Sequence, residues 1–376
     1  MGTPTDTALL PDTAWLYALS RIPGVGNKTL LALLRHFGSG AALWQALLHE
    51  DITFPGIKSH ILIALRHHIH SLELQALWQE LITTGITPLG YTDDRYPPLL
   101  REIPDAPILL YARGTPDWNR LGPLITIVGT RKPSAYGRQV TQDFSRRLVQ
   151  AGFTIVSGLA FGVDSLAHQA TLESQGRTLA VIGSGVDDRS ITPQSHLALA
   201  HRIIEQGGAL LSEYIPGTQA TVGTFPARNR IMAGMSPLTL VIEASEQSGT
   251  LITARLALEY HRDVCAVPGS IFSPGSVGCH HLIQQGAKLI TSLEDILEEL
   301  PAPTFTSQEP SSLPLALSQD EALVFELLAQ EPLHIDQIIL KTKKSASEIT
   351  PLLTLLEMKG LAKNIGGMHY MRIPVN

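Results

Sequence analysis

Five clusters of small and cationic residues punctuate the middle of this 376-residue chain, and their chemistry is that of anion binding. Gly129-Thr130-Arg131-Lys132-Pro133-Ser134 sets two cations beside a glycine and two hydroxyls. Ser157-Gly158-Leu159-Ala160-Phe161-Gly162-Val163-Asp164 offers glycines at a helix entry, where outward-facing amides and the helix dipole favour an anion. Gly183-Ser184-Gly185 is a third turn of small residues. Phe225-Pro226-Ala227-Arg228-Asn229-Arg230 puts two guanidiniums around an amide. Arginine grips phosphate through a fork and stacks on bases. Ser248-Gly249-Thr250 brings two hydroxyls and a glycine to another helix entry. Each cluster also has a plainer reading. Gly158 and Gly162 would equally serve close helix–sheet packing. Arg228 and Arg230 divide evenly between phosphate contact and a structural pairing with Glu213 or Glu243. Ser248 and Thr250 are either helix caps or ligand contacts.

The elements that must hold these clusters are legible as short apolar runs. They are Leu124-Val128, Thr154-Val156, Thr178-Ile182, Ala209-Leu211, Leu238-Ile242 and Asp263-Val267. Continuous apolar runs mark strands covered on both faces, and helix-like stretches between them predict an α/β fold with a doubly wound, mostly parallel sheet. Ligands of such sheets sit beyond the carboxyl ends of the strands, where the clusters fall. Arg131 is fixed at that crevice by its place after the first run. Between Leu121 and Ala151 stand five bases (Arg131, Lys132, Arg138, Arg146, Arg147) and one acid, Asp143. Arg146 and Arg147 also suit a solvated helix face.

The expected ligand carries phosphate, and where that phosphate belongs to a nucleic-acid strand Phe161 or Tyr136 would give a base a surface. An enzyme acting on a nucleotide or nucleotide-derived sugar is the alternative, with Asp164, Glu213 or Glu243 as general acid or base. No GxGxxG fingerprint, P-loop, nucleophile–base pair or metal cluster accompanies them, so no catalytic residue, cofactor or metal is expected. A carboxylate at a strand end is more often the partner of an arginine.

Charge and cysteines narrow the class. The chain carries 34 acidic and 28 basic side chains, so nucleic-acid contact must come from a local patch. Cys265 and Cys279 form no CxxC pair, which argues against zinc or a disulfide framework. The beginning of the chain lacks a basic n-region and no run has membrane-spanning length, so a cytoplasmic protein with no membrane partner is expected.

Residues 1–87 read as a helical module. Ile22-Pro23-Gly24-Val25-Gly26 followed by Lys28-Thr29-Leu30 resembles a helix-hairpin-helix turn, and Phe54-Pro55-Gly56-Ile57 a degenerate copy. Five bases against six acids there favour packing or interaction over DNA contact. Residues 88–300 form the binding domain, and 301–320, with four prolines, the linker. Residues 321–376 predict a winged helix: one helix, a helix-turn-helix over His334-Leu340 and Ser345-Lys359, and a two-stranded wing. Lys341, Lys343 and Lys344 in its turn suit a phosphate or a solvated loop equally.

Together these motifs resemble the DNA-processing protein A family, DprA or Smf. The match runs through Val128-Gly129-Thr130-Arg131, the Ser157–Asp164 turn, Phe225-Pro226-Ala227-Arg228-Asn229-Arg230-Ile231, Ser248–Ala254, Val267-Pro268-Gly269 and Gly278-Cys279-His280-His281-Leu282-Ile283. It covers residues 91–300 strongly and the flanking modules more loosely. The resemblance implies a Rossmann-like domain between a helical module and a winged helix. It further implies a non-enzymatic protein that binds single-stranded DNA entering during natural transformation, shields it from nucleases and helps load the RecA recombinase. It assigns DNA contact to Arg131. The family's usual cation after a proline falls at Gln194, and the segment Asp187-Asp188-Arg189-Ser190 is about two residues longer than the family pattern; Arg189 or His196 are the candidates to compensate. Homodimers of the family pair at a surface that maps to His280, Ile283 and Leu289, residues equally readable as core.

Overall fold

From Ile125 to Val128 every residue is buried, as a strand covered on both faces requires. The computed structural model describes residues 10–49, 53–114, 121–300, 318–328, 333–359 and 361–372. Five helices come first: α1 (Asp12–Ser20), α2 (Asn27–Phe37), α3 (Gly40–His49), α4 (Ser59–Ile69) and α5 (Leu74–Thr83). β1 (Thr87–Gly90), α6 (Pro98–Glu102) and β2 (Leu109–Arg113) follow. Strand and helix then alternate through β3 (Leu124–Val128), α7 (Ala135–Gln150), β4 (Thr154–Ser157), α8 (Val163–Glu173), β5 (Thr178–Val181), α9 (Leu197–Glu205) and β6 (Ala209–Ser212). The alternation continues with α10 (Thr224–Met235), β7 (Leu238–Val241), α11 (Thr250–Glu259), β8 (Asp263–Ala266), α12 (Val277–Gln284), β9 (Lys288–Leu289) and α13 (Leu293–Glu299). All six expected central strands form.

Among the described residues the sheet has nine strands in the order β1-β2-β6-β5-β4-β3-β7-β8-β9. β3 to β9 run parallel, while β2 pairs antiparallel with β6 and with β1. The chain winds outward from β3 to β6, then returns to the other side of β3 at β7. That reversal places a topological switch point beside β3, where a crevice opens at the carboxyl rim.

Strand alternation divides the core. Ile125, Ile127 and Ile155 pack with Phe144 and Leu148 of α7, Ala167 of α8 and Ile296 of α13. Val128 and Val156 join the opposite face with Ile231 and Met232 of α10. Thr126 points to that second side, and its hydroxyl lies 2.9 Å from the Met232 carbonyl and 2.8 Å from Ser236 Oγ. Burying a hydroxyl without a partner is costly, so α10 is fixed along β3.

Contacts divide the chain into two compact units, Met1–Pro303 and Thr304–Asn376. Within the first, the helical segment shares one core with the sheet: Leu31, Leu34 and Trp44 belong to the same cluster as Leu89, Leu110 and Leu210. The helix that follows the Ile22–Gly26 hairpin is fastened to the chain. Asn27 Nδ2 donates to the Ala106 carbonyl at 2.9 Å, and its Oδ1 accepts the Ile108 amide at 2.8 Å. The start of this helix is therefore used for packing.

The second unit holds α14 (Gln319–Leu327), β10 (Leu333–His334), α15 (Ile335–Thr342), α16 (Ala346–Met358), β11 (Ala362–Gly366) and β12 (His369–Arg372). Its strands are ordered β10-β12-β11 around Val324, Ile338, Ile349 and Leu353. Capping boxes at Ser318–Glu321 and Ser345–Glu348 start two of its helices. This is the winged helix expected from the sequence. Residues 301–317, read as linker, lie outside the described residues. No described helix is long and apolar enough to cross a membrane.

Candidate functional site

The loop Gly129–Ser134 leaves β3 and turns into α7 under three constraints. The Thr130 amide donates to the Glu243 carbonyl at 2.7 Å, and the Ser134 amide to the Glu243 carboxylate at 2.9 Å. Ser134 then caps α7, its Oγ accepting the Gly137 amide at 3.0 Å. Gly162, at φ +80°, allows α8 to abut this loop; a Cβ there would meet the Thr130 carbonyl at 2.3 Å. The Val163 amide donates to that same carbonyl at 3.1 Å. Gly129 likewise lacks room for a side chain, since a Cβ would stand 2.5 Å from Val163. The backbone at Thr130 and Arg131 is thus clamped between α8 and the end of β7.

Clamping aims two cations outward. Arg131 and Lys132 are exposed and have no ion-pair partner among the described residues. The Arg131 guanidinium lies over the Phe225 ring, 5.6 Å from its centroid, which orients it without neutralising it. Below it is a crevice of about 450 Å³ whose wall includes Gly129, Arg131, Ala160, Asn229, Ser248, Gly249 and Thr250. α11 begins at Thr250 and turns its positive dipole end to this space. Ser248 Oγ accepts the Thr250 amide at 3.2 Å, so that hydroxyl is a cap as well as wall. Asn229 accepts from Arg228 Nε at 3.0 Å through Oδ1, and its amide nitrogen has no protein partner among the described residues.

Arg228 lies on the crevice floor, but its guanidinium is engaged. It is 5% exposed and donates to the carbonyls of Gly158 and Val181, with Asp164 at 3.7 Å. Burial drives the Asp164 carboxyl above its ordinary value of 3.8, against the opposing pull of Arg228. The Arg228 fork ties β4, β5 and α8 together. Gly158 is required beneath it, because a Cβ would fall 2.3 Å from the guanidinium.

Four other expected site residues are placed elsewhere. Ser157 is fully buried and its Oγ donates to the Ile127 carbonyl at 2.7 Å, linking β4 to β3. Arg230 points away from the crevice to Glu213 and, at 3.7 Å, to Asp105. Gly183 and Gly185 are buried under the start of α10 and the segment leading into it: a Gly183 Cβ would meet the Thr224 carbonyl at 3.0 Å, and the Gly185 amide donates to the Thr218 carbonyl at 2.8 Å. None of the four lines the crevice. Phe161 is half exposed beside it, edge-on to His196 at 4.8 Å.

The longer loop after β5 neutralises its own acids. Asp187 accepts the Gly217 amide at 2.6 Å, and Asp188 pairs with Arg113 and, at 2.8 Å, with His201. Gln194 is exposed and donates to the Asp188 carbonyl at 3.2 Å. His196 docks on the Leu159 carbonyl at 2.8 Å, adjoining the site, whereas Arg189 is exposed without an ion-pair partner among the described residues. The carboxylates read as possible acids or bases are likewise held: Asp164 by Arg228, Glu213 by Arg230, Glu243 by the Ser134 amide. His280 sits half-buried against the Gly269 carbonyl at 3.0 Å, Ile283 is partly buried, and Leu289 is 44% exposed on the edge strand β9. Both cysteines are buried free thiols, and no group of metal-ligating side chains occurs among the described residues.

Sequence reasoning missed Gly137, where a Cβ would lie 2.2 Å from Glu243 Oε2, and with it the role of Glu243 as organiser of the cationic loop. No local pattern signals a contact across so many residues. Phe225 was findable: an aromatic three residues before the buried Arg228 is suited to carry a guanidinium.

Residues 87–301 match the family described as DNA recombination-mediator protein A, and residues 308–368 match the DprA winged helix domain. The chain is 35% identical to Protein Smf of Synechocystis, over 96% of this chain and 99% of that one. It is 40% identical to the DNA processing protein DprA of Streptococcus pneumoniae, over 76% and 96%. The X-ray structure of DprA from S. pneumoniae aligns with a TM-score of 0.66 at 35% identity, covering 77% of this chain and 98% of that one. A DNA processing protein A from Helicobacter pylori, described for its single-stranded DNA binding mode, aligns with a TM-score of 0.51 at 28% identity, over 57% and 94%. A match through the sheet, the clamped cationic loop and the winged helix leaves one conclusion: the chain belongs to the DNA recombination-mediator protein A family, the family of DprA and Smf.

Proposed function

We propose that this protein binds single-stranded DNA without regard to sequence, holding phosphates at the carboxyl rim of its sheet. The observation that carries the reading is Arg131: exposed, without an ion-pair partner among the described residues, and aimed from a backbone that Glu243 and Gly162 immobilise. The Asn229 amide nitrogen and the start of α11 supply further donors around the same space, and Lys132 adds an exposed cation next to Arg131 in the chain. The relative from H. pylori, described as a single-strand binder, supports this choice of ligand. Gly183, Gly185, Ser157, Arg228 and Arg230 leave the list of direct contacts and become framework.

We further infer a non-enzymatic, cytoplasmic role in which the bound strand is shielded and handed to RecA. Family membership supports that role, and so does the engagement of Asp164, Glu213 and Glu243 by arginine or backbone. A homodimer paired through His280, Ile283 and Leu289 would set two crevices on one strand and add avidity. Fluorescence anisotropy with a labelled oligonucleotide is the test. Arg131→Ala should weaken binding to every sequence about equally; unchanged affinity would remove the crevice from the mechanism.

A further inference from the structure

The three most exposed large apolar side chains described in the first unit all stand on this one rim. Val222 is 90% exposed on the loop after β6, and Phe272 and Ile271 are 89% and 78% exposed on the loop after β8. Isolated exposed apolar residues are ordinary. Their concentration on the rim that carries the cationic crevice, which Val222 lines, is not.

The loop after β8 is firm in its backbone. The Ser273 amide donates to the Ser270 carbonyl and the Ser276 amide to Ser273, both at 3.0 Å, while the Phe272 amide donates to Ser270 Oγ at 3.3 Å. It is also laced to the site: Tyr136 Oη, at the start of α7, donates to the Pro268 carbonyl at 2.8 Å. Gly275 admits Glu243, the organiser of the Arg131 loop; a Cβ there would lie 2.7 Å from Glu243 Oε1. A stiff loop tied to the phosphate-holding loop thus extends a bare aromatic ring into water.

We propose that Phe272, flanked by Ile271, is a stacking platform for a nucleobase of the strand whose phosphates lie at Arg131. This rests on the single-strand reading above and deepens it. A single strand gripped by its phosphates leaves bases unpaired, and every base offers an apolar π-face whatever its identity. The platform therefore discriminates single strand from duplex, whose bases are already stacked, without reading sequence. The cations of the Arg131 loop, to which Glu243 ties this loop, favour this occupant over an apolar protein segment.

The test uses the full chain, an oligo-dT strand and an abasic strand of equal length. Phe272→Ala should lose about tenfold affinity for oligo-dT, leave the abasic strand's affinity unchanged and keep the salt dependence. Phe272→Trp should retain binding and show quenched indole emission relative to wild type on adding oligo-dT. Arg131→Ala should weaken both strands. If Arg131→Ala is impaired and Phe272→Ala is not, the platform fails while the crevice stands. If Arg131→Ala binds normally, the underlying reading fails. Equal loss by Phe272→Ala on both strands, or a fall in its mass by light scattering, would also overturn the platform by assigning Phe272 to framework or to contact between copies.

Discussion

Two arginines of one crevice show how burial decides a residue's work. Arg131 has one aromatic neighbour and open water, so its charge is available to a ligand. Arg228 has two carbonyls and Asp164, so its charge is spent inside the protein. Arg228→Ala should therefore act on stability: leaving Asp164 buried and unpaired costs about 3–5 kcal/mol. Urea denaturation of the variant measures it, and a fully stable variant would contradict the keystone role. His168 gives a second prediction. Its Nδ1 lies 2.7 Å from Thr178 Oγ1, whose single proton goes to the Ile155 carbonyl. Nδ1 must then donate, leaving Nε2 a buried acceptor without a partner. Burial, with Arg228 nearby, pushes the imidazole down from 6.5 to about 3. The unfolded chain binds this proton first, so stability is complete above pH 6.5 and falls as pH drops toward 3. From pH 7 to pH 5 the loss is about 2 kcal/mol. His168→Gln should flatten that segment of the unfolding curve; an unaltered slope would remove His168 as its source. Neither role could be read from sequence, because both depend on which atoms share a buried volume.

At the scale of elements, far more was legible. Uniformly apolar runs such as Leu124-Val128 declared strands covered on both faces, and the clusters after them declared the rim. What periodicity did not supply was which loops face the crevice. The turns at Gly129 and at Gly183 look alike as glycine-bearing strand ends. They differ because the segment before α10 lies over the second and leaves the first open. The same limit applied to Arg228 and Arg230, neighbours on α10 whose side chains leave opposite sides of the helix. Gly162 makes the element-scale prediction. A side chain would collide with Thr130 and require a φ of +80°, so Gly162→Ala should lower the melting temperature and weaken DNA binding together. Binding lost with stability intact would point instead to direct contact at Gly162.

For the whole molecule, the excess of six acidic groups and a local cationic rim belong to one design. In the proposed mode, that excess limits general electrostatic adhesion to DNA and leaves the crevice as the attractive surface. Family resemblance was what carried the sequence reading past an anion site to single-stranded DNA; composition alone pointed no further than phosphate. In the proposed homodimer, Leu289, 44% exposed on the edge strand β9, is a contact between the two copies. Light scattering should give twice the chain mass, and Leu289→Glu should return it to one; a wild-type monomer would contradict the dimer. The central claim is met most directly by measuring affinity for matched single-stranded and duplex oligonucleotides across a salt series. Single strand should be preferred, with log affinity falling against log salt by roughly 0.7 per phosphate held and Arg131→Ala making that slope shallower by about one phosphate. Binding that ignores salt, or that favours duplex equally, would contradict it.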